Sequence, residues 1–158
     1  MRRIRVYADT SVFSGTEDEE FAGPSRRFFE RVRAGEYSIL MSNETLRELL
    51  EAPAPVQDLW RGLPASSMER AEINGEVKTL AEEYVKMGVL GRASEADALH
   101  VAAATVAGAD LILSWNFRHI VNYNRILGFN SVNLRSGYRS MVILSPLEVS
   151  SDDQAQDA

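Results

Sequence analysis

The stretch that most constrains the fold of this chain runs from Ser94 to Ile120, SEADALHVAAATVAGADLILSWNFRHI. Its first half, with Leu99, Val101, Ala102, Ala103, Ala104 and Val106, is apolar nearly all round a helix and closes at Gly108, so it belongs inside the molecule. Ser94 is placed as the cap of that helix, and Asp97 falls in its first turn. Leu111-Ile112-Leu113 is a short apolar run suited to a strand buried on both faces, ended by Ser114-Trp115-Asn116. A helix feeding such a strand is the second half of a βαβ unit. The crossover helix runs antiparallel to the strands it joins, so its amino end, with Asp97, meets the carboxyl ends of the strands, with Asn116. Both side chains are expected to face one cleft.

The rest of the chain repeats this alternation. Ile4, Val6 and Ala8 alternate with Arg5 and Tyr7 in a first strand that ends at Asp9-Thr10-Ser11. A helix opens near Pro24, buries Phe28, Phe29 and Val32, and stops at Gly35. A strand over Tyr37 to Met41 precedes a helix capped by Ser42 or Asn43, in which Leu46, Leu49 and Leu50 face the core while Glu44, Glu48 and Glu51 line the flank. Pro53 and Pro55 end it, a short amphipathic segment follows over Val56 to Leu63, and Met68 to Ile73 reads as a brief edge strand. Asn74 caps a helix with Val77, Leu80, Ala81, Tyr84 and Val85 on one face. Beyond Asn116 the chain is rich in Asn, Gly and Arg and reads as loop until a last strand at Met141 to Leu144. Strands alternating with helices predict an α/β fold with a mostly parallel sheet, whose ligands bind outside the carboxyl ends of the strands.

Four polar groups converge there: Asp9 at the end of the first strand, Glu48 early in the helix after the second, Asp97 opening the central helix, and Asn116 after its strand. Each alone has a structural role open to it: Asx-turn, solvated helix flank, capping-box acid, turn residue. Together, crowded carboxylates repel one another unless a cation neutralises them. The chain has no cysteine and only His100 and His119 as imidazoles, so the ion is one that takes oxygen, Mg²⁺ or Mn²⁺. Such an ion commonly bridges to a phosphate and lowers the pKa of a bound water, which is the chemistry of phosphodiester hydrolysis. Phosphate loops of the Gly-x-x-x-x-Gly-Lys-Ser/Thr and Gly-x-Gly-x-x-Gly types are missing. His100 reads as a satisfied helix histidine, His119 as surface or RNA-facing, and the Trp115 and Tyr84 rings as core.

At 158 residues, 45% hydrophobic and 25% charged, the chain is sized for one domain, expected over 1–149, followed by an acidic tail over 150–158 with a disordered composition. No apolar run reaches the length of a membrane span and no signal-peptide core follows Met1, so a cytoplasmic location is expected. The net charge of −6 would repel nucleic acid if it were even, but Leu111 to Leu147 carries Arg118, Arg125, Arg135 and Arg139 and no acid. That segment reads equally well as a phosphate-binding face or as solvated surface arginines.

The segments YADTSVF with Asp9, SNETLREL with Glu48, SEADALHVAAA with Asp97 and SWNFRHI with Asn116 resemble the four signature segments of the PIN-domain nucleases, in particular the VapC-type toxins of bacterial toxin–antitoxin pairs. The resemblance spans most of Arg3 to Leu144. It implies a three-layer α/β/α domain acting as a metal-dependent endoribonuclease, with Asp9, Glu48 and Asp97 holding Mg²⁺ or Mn²⁺, Asn116 completing the site, and Ser11 and Ser114 supporting it. It also implies an RNA substrate, held by Arg118, Arg125 and Arg139, and a small antitoxin as partner. A homodimer is expected on the same grounds and on the apolar positions of Val56 to Leu63. The fourth acidic position is often Asp in this family, and Asn116 brings no charge, which weighs against a tightly held second metal. Ser114 stands where Thr is usual and keeps the hydroxyl. Two rival functions follow from the same residues: a PIN scaffold that binds RNA or protein without useful turnover, and a metal phosphohydrolase of small nucleotides.

Overall fold

The computed structural model describes residues 2–149; the tail expected over 150–158 lies outside the described residues. Its centre is a five-stranded sheet in the order β3-β2-β1-β4-β5, formed by β1 (Ile4–Ala8), β2 (Tyr37–Ser42), β3 (Met68–Ala71), β4 (Leu111–Leu113) and β5 (Val142–Leu144). Every neighbouring pair is parallel, so the sheet is wholly rather than mostly parallel. Strand alternation divides the core between two faces. Tyr7, Leu40 and Ile112 point to one face and pack with α5 (Gly75–Lys86), α6 (Glu95–Val106) and α7 (Tyr123–Arg135). Val6, Ala8, Ile39, Met41 and Leu113 point to the other and pack with α1 (Thr10–Ser14), α2 (Ala22–Arg33), α3 (Asn43–Leu50) and α4 (Ala54–Arg61). This is the three-layer α/β/α arrangement.

The central helix is as buried as its composition requires. Ala98, Val101, Ala102, Ala103 and Ala104 have no exposed surface, and Gly108 follows in the left-handed region at φ +70, its N–H closing on the Thr105 carbonyl. Several details depart from expectation. The Asn/Gly/Arg-rich stretch after Asn116 is not loop throughout, because 123–135 forms α7, capped by Asn122 Oδ1 accepting from the Arg125 N–H at 2.9 Å. The edge strand stops at Ala71. Pro53 and Pro55 begin α4 as much as they end α3. Leu50 is 61% exposed instead of facing the core, whereas Val56 and Leu63 of the segment offered as a dimer surface are buried within the chain itself.

Candidate active site

The parallel register sets the carboxyl ends of β1 and β4 side by side, with Ala8 opposite Leu113. Asp9 leaves β1 as the N-cap of the short helix α1, where its Oδ1 accepts the Ser11 N–H at 3.0 Å and the Ser11 hydroxyl at 2.5 Å. Its Oδ2 accepts the Ser114 hydroxyl at 2.5 Å. The two serines also stitch the strand ends together: Ser11 Oγ accepts the Trp115 N–H at 2.8 Å and Ser114 Oγ accepts the Asn116 N–H at 2.9 Å. Asp9 is thereby held almost out of solvent. Burial pushes its pKa above the ordinary carboxylate value, against the opposing pull of His100 and of the serine donors.

Asn116 turns this cluster towards α6. Its Nδ2 donates to Asp97 Oδ1 at 3.1 Å, its Oδ1 accepts the His119 N–H at 2.9 Å, and His119 Nδ1 lies 3.1 Å from Asp97 Oδ2. Ser94 makes no side-chain cap bond, so Asp97 is not part of a capping box; its carboxylate is engaged by Asn116 and His119 instead. One turn further along α6, His100 Nε2 donates to Glu48 Oε1 on α3 at 2.9 Å, while Nδ1 lies 2.7 Å from the Tyr7 hydroxyl, itself hydrogen-bonded with Ser42. Burial opposes charge on His100, but Tyr7, Glu48 and Asp9 outweigh it and raise its pKa to about 10. The same pair works on Glu48: burial resists ionisation, and the His100 hydrogen bond and charge, with Arg47 nearby, bring its pKa below the usual value.

The structure therefore brings Asp9, Asp97, Asn116, Ser11 and Ser114 into one hydrogen-bonded cluster and ties Glu48 to it through His100. His100 is the satisfied buried histidine expected, but its partner is a site carboxylate, and His119 touches Asp97. Neither contact was visible in the spacing. Arg118 is exposed two residues beyond Asn116, and it lines a hollow of about 660 Å³ together with Arg125, which donates to the Val89 carbonyl. Arg139 is not brought there. It donates to the Gly108 and Ala109 carbonyls at 2.8 and 2.9 Å, at the amino end of β4.

No family model matches the sequence, and no curated protein matches it. A solved structure does share its fold. In the crystal structure of VapBC2 from Rickettsia felis bound to a DNA fragment from their promoter, one chain aligns with a TM-score of 0.56 at 12% identity, over 90% of this chain and 98% of that chain. The α/β/α arrangement is thus PIN-like, and in this PIN-like fold the four polar groups occupy the carboxyl edge of the sheet.

The donor set of the PIN-like site is almost wholly oxygen, which suits Mg²⁺ or Mn²⁺. Asp9 supplies a buried carboxylate whose charge burial penalises and a cation would restore. Among the described residues no three acidic or imidazole groups stand close enough to grip an ion unaided.

Proposed function

We propose that the chain is a Mg²⁺- or Mn²⁺-dependent endoribonuclease and the toxin of a type II toxin–antitoxin pair. The observation that carries this is the state of Asp9: a carboxylate buried at the strand ends, its pKa raised, bonded by the Ser11 N–H and by two serine hydroxyls and, among the described residues, by no arginine or lysine. Asp9, Glu48 and Asp97 would hold the ion, which when bound polarises the scissile phosphate and eases ionisation of an attacking water. Ser11 and Ser114 fix both oxygens of Asp9, Asn116 orients Asp97, and the Tyr7–His100 pair orients Glu48. Arg118, exposed two residues beyond Asn116, would hold the RNA backbone as a positioning contact.

Support for a protein partner comes from the VapBC2 likeness and from Leu127 and Leu134 of α7, which are 53% and 60% exposed and share one helix face. A small antitoxin, a second copy, or both would cover such a surface. Among the described residues no helix is long and apolar enough to cross a membrane.

Asp97→Asn is the direct test. It keeps the hydrogen-bonding shape beside Asn116 and removes the charge, so RNA cleavage in Mg²⁺ should fall by about 10²–10³-fold while the circular dichroism spectrum is unchanged. Cleavage at the wild-type rate would refute the assigned site. A second reading, a scaffold that binds without turnover, is favoured by Asn116 bringing no charge and by Glu48 already being paired with His100. Mn²⁺ and RNA binding with no cleavage in the wild type would establish it. Turnover of mononucleotides but not of RNA would point to a small-nucleotide phosphohydrolase.

A further inference from the structure

We propose that the cavity between the start of α7 and the loop joining α5 to α6 is a nucleotide subsite, where a base flanking the cleaved phosphate stacks on Tyr123 and its own phosphate meets Arg118. The cavity, about 660 Å³, is lined by Met87, Val89, Arg118, Tyr123 and Arg125 among others, and among the described residues no acid lines it. That volume lies within the range of nucleotide-sized ligands. In a chain of net charge −6, an acid-free hollow with two arginines is the place where an anion meets least repulsion.

Three features make it a built site. The Arg118 guanidinium, exposed at the rim of the hollow, makes no hydrogen bond or ion pair with the described residues. The loop that carries it is held, because Asn122 Nδ2 donates to the Phe117 and Arg118 carbonyls at 3.0 and 2.7 Å while its Oδ1 caps α7. The wall is closed by a contact that only glycine allows: a Cβ on Gly128 would stand 2.9 Å from Val89 Cγ1, and Arg125 ties α7 to the Val89 carbonyl from the other side. Tyr123 is 75% exposed and stacks on no other ring among the described residues, an unusual place for a large aromatic side chain with no ligand. An exposed ring beside a free guanidinium is the pairing that captures an unpaired base with its phosphate, since every base has a face to stack. A base already paired in a duplex cannot reach it.

This subsite rests on the ribonuclease reading, and the experiment separates the two. Binding of a fluorescein-labelled single-stranded oligoribonucleotide to the full chain is measured by anisotropy in Ca²⁺, across several salt concentrations, for wild type, Tyr123→Ala, Tyr123→Phe and Arg118→Ala. Tyr123→Ala is expected to weaken binding by about five- to a hundredfold and Tyr123→Phe by no more than about twofold, because stacking needs the ring and not the hydroxyl. Arg118→Ala is expected to flatten the log–log salt slope by about 0.7, one phosphate contact. Mn²⁺ affinity should be the same in all four proteins, and a mononucleotide should compete far more weakly than the strand. Unchanged RNA affinity in Tyr123→Ala, with wild-type RNA cleavage intact, would overturn the subsite and leave the ribonuclease reading standing. So would a change of oligomeric state by light scattering in Tyr123→Ala without loss of RNA affinity, which would make the face a protein interface. A wild type that neither binds nor cleaves RNA overturns both.

Discussion

Two aspartates at opposite ends of the sheet, Asp110 and Asp9, are treated in opposite ways. At the amino end, Asp110 accepts the Arg5 N–H at 2.8 Å and the Arg2 guanidinium at 2.5 Å, with Arg139 3.8 Å away, while Arg5 also donates to Glu69 at 2.7 and 3.0 Å and to the Ala107 and Gly108 carbonyls just past α6. Burial works against ionisation of Asp110, yet the Arg5 amide, Arg2 and Arg139 bring its pKa below the usual value; the Arg5 hydrogen bond does the same for Glu69. At the carboxyl end, Asp9 has no such cation bonded to it and its pKa is raised. Acids that only hold a fold together are compensated by the fold. An acid left uncompensated at the strand ends costs stability, which is the usual signature of a site whose counter-charge arrives from outside.

The strongest way to sharpen this contrast is Asp9→Asn. Neutralising a buried carboxyl of raised pKa removes a cost at pH 7, so the variant is expected to be more stable, on the order of 1 kcal/mol, while Mn²⁺ affinity falls more than about a hundredfold. Thermal unfolding with and without Mn²⁺ reads both effects, and a variant less stable than wild type in metal-free buffer would contradict the comparison.

Next in size is Gly15→Ala, which attacks the packing behind the site. A Cβ there would lie 2.7 Å from Ser25 Oγ and 2.8 Å from Trp115 Nε1, inside the hydrogen bond those two atoms make at 2.8 Å. The expected loss is about 1–3 kcal/mol, roughly 2–4 °C of Tm per kcal/mol for a chain of this length. An unchanged Tm would mean that the strand ends yield more easily than the contacts imply.

Asp110→Asn carries the amino-end half of the comparison and has the opposite sign to Asp9→Asn, a loss on the order of 1 kcal/mol at neutral pH. Because the folded pKa of Asp110 is depressed, its contribution is present above the ordinary carboxyl pKa and disappears as pH falls through the folded value. Wild type and variant should therefore converge in stability in strong acid, as followed by urea unfolding.

The alkaline side of the comparison belongs to His100, whose ring sits between Tyr7 and Glu48. Its folded pKa of about 10 exceeds the ordinary imidazole value, so the stability it contributes is complete below about pH 6.5 and is lost as pH rises through about 10. His100→Gln should remove that alkaline decline from a plot of urea midpoint against pH. A decline of equal depth in the variant would assign it to another group.

Periodicity made most of the fold legible. The apolar run Leu111–Leu113 and the all-round apolar face of α6 describe burial that the structure realises, whereas β1 departs from strict alternation, with Ile4 exposed and Tyr7 buried along with Val6 and Ala8. Placing Asp9, Asp97 and Asn116 at one edge followed from the direction of a βαβ crossover, which depends on chain connectivity and not on the identity of distant residues. The helix α7 escaped because Asn124, Gly128, Asn130 and Asn133 are weak helix formers and only Phe129, Val132 and Asn133 are buried; packing against the α5–α6 face overrides their local preference. The exposure of Leu50 and the burial of Val56 were likewise decided by which surfaces the neighbouring helices left open.

Local sequence thus determined the strands, most of the long helices and the edge on which the four polar groups meet, since these depend on the side-chain period and on chain direction. Tertiary structure decided the chemistry of that edge. That His100 binds Glu48, that Asp9 is sealed by Ser11 and Ser114, and that Arg139 faces the far end of the sheet all depend on groups up to about a hundred positions apart along the chain. A pKa is set by burial and by charges within a few ångströms, and neither distance exists until the chain has folded.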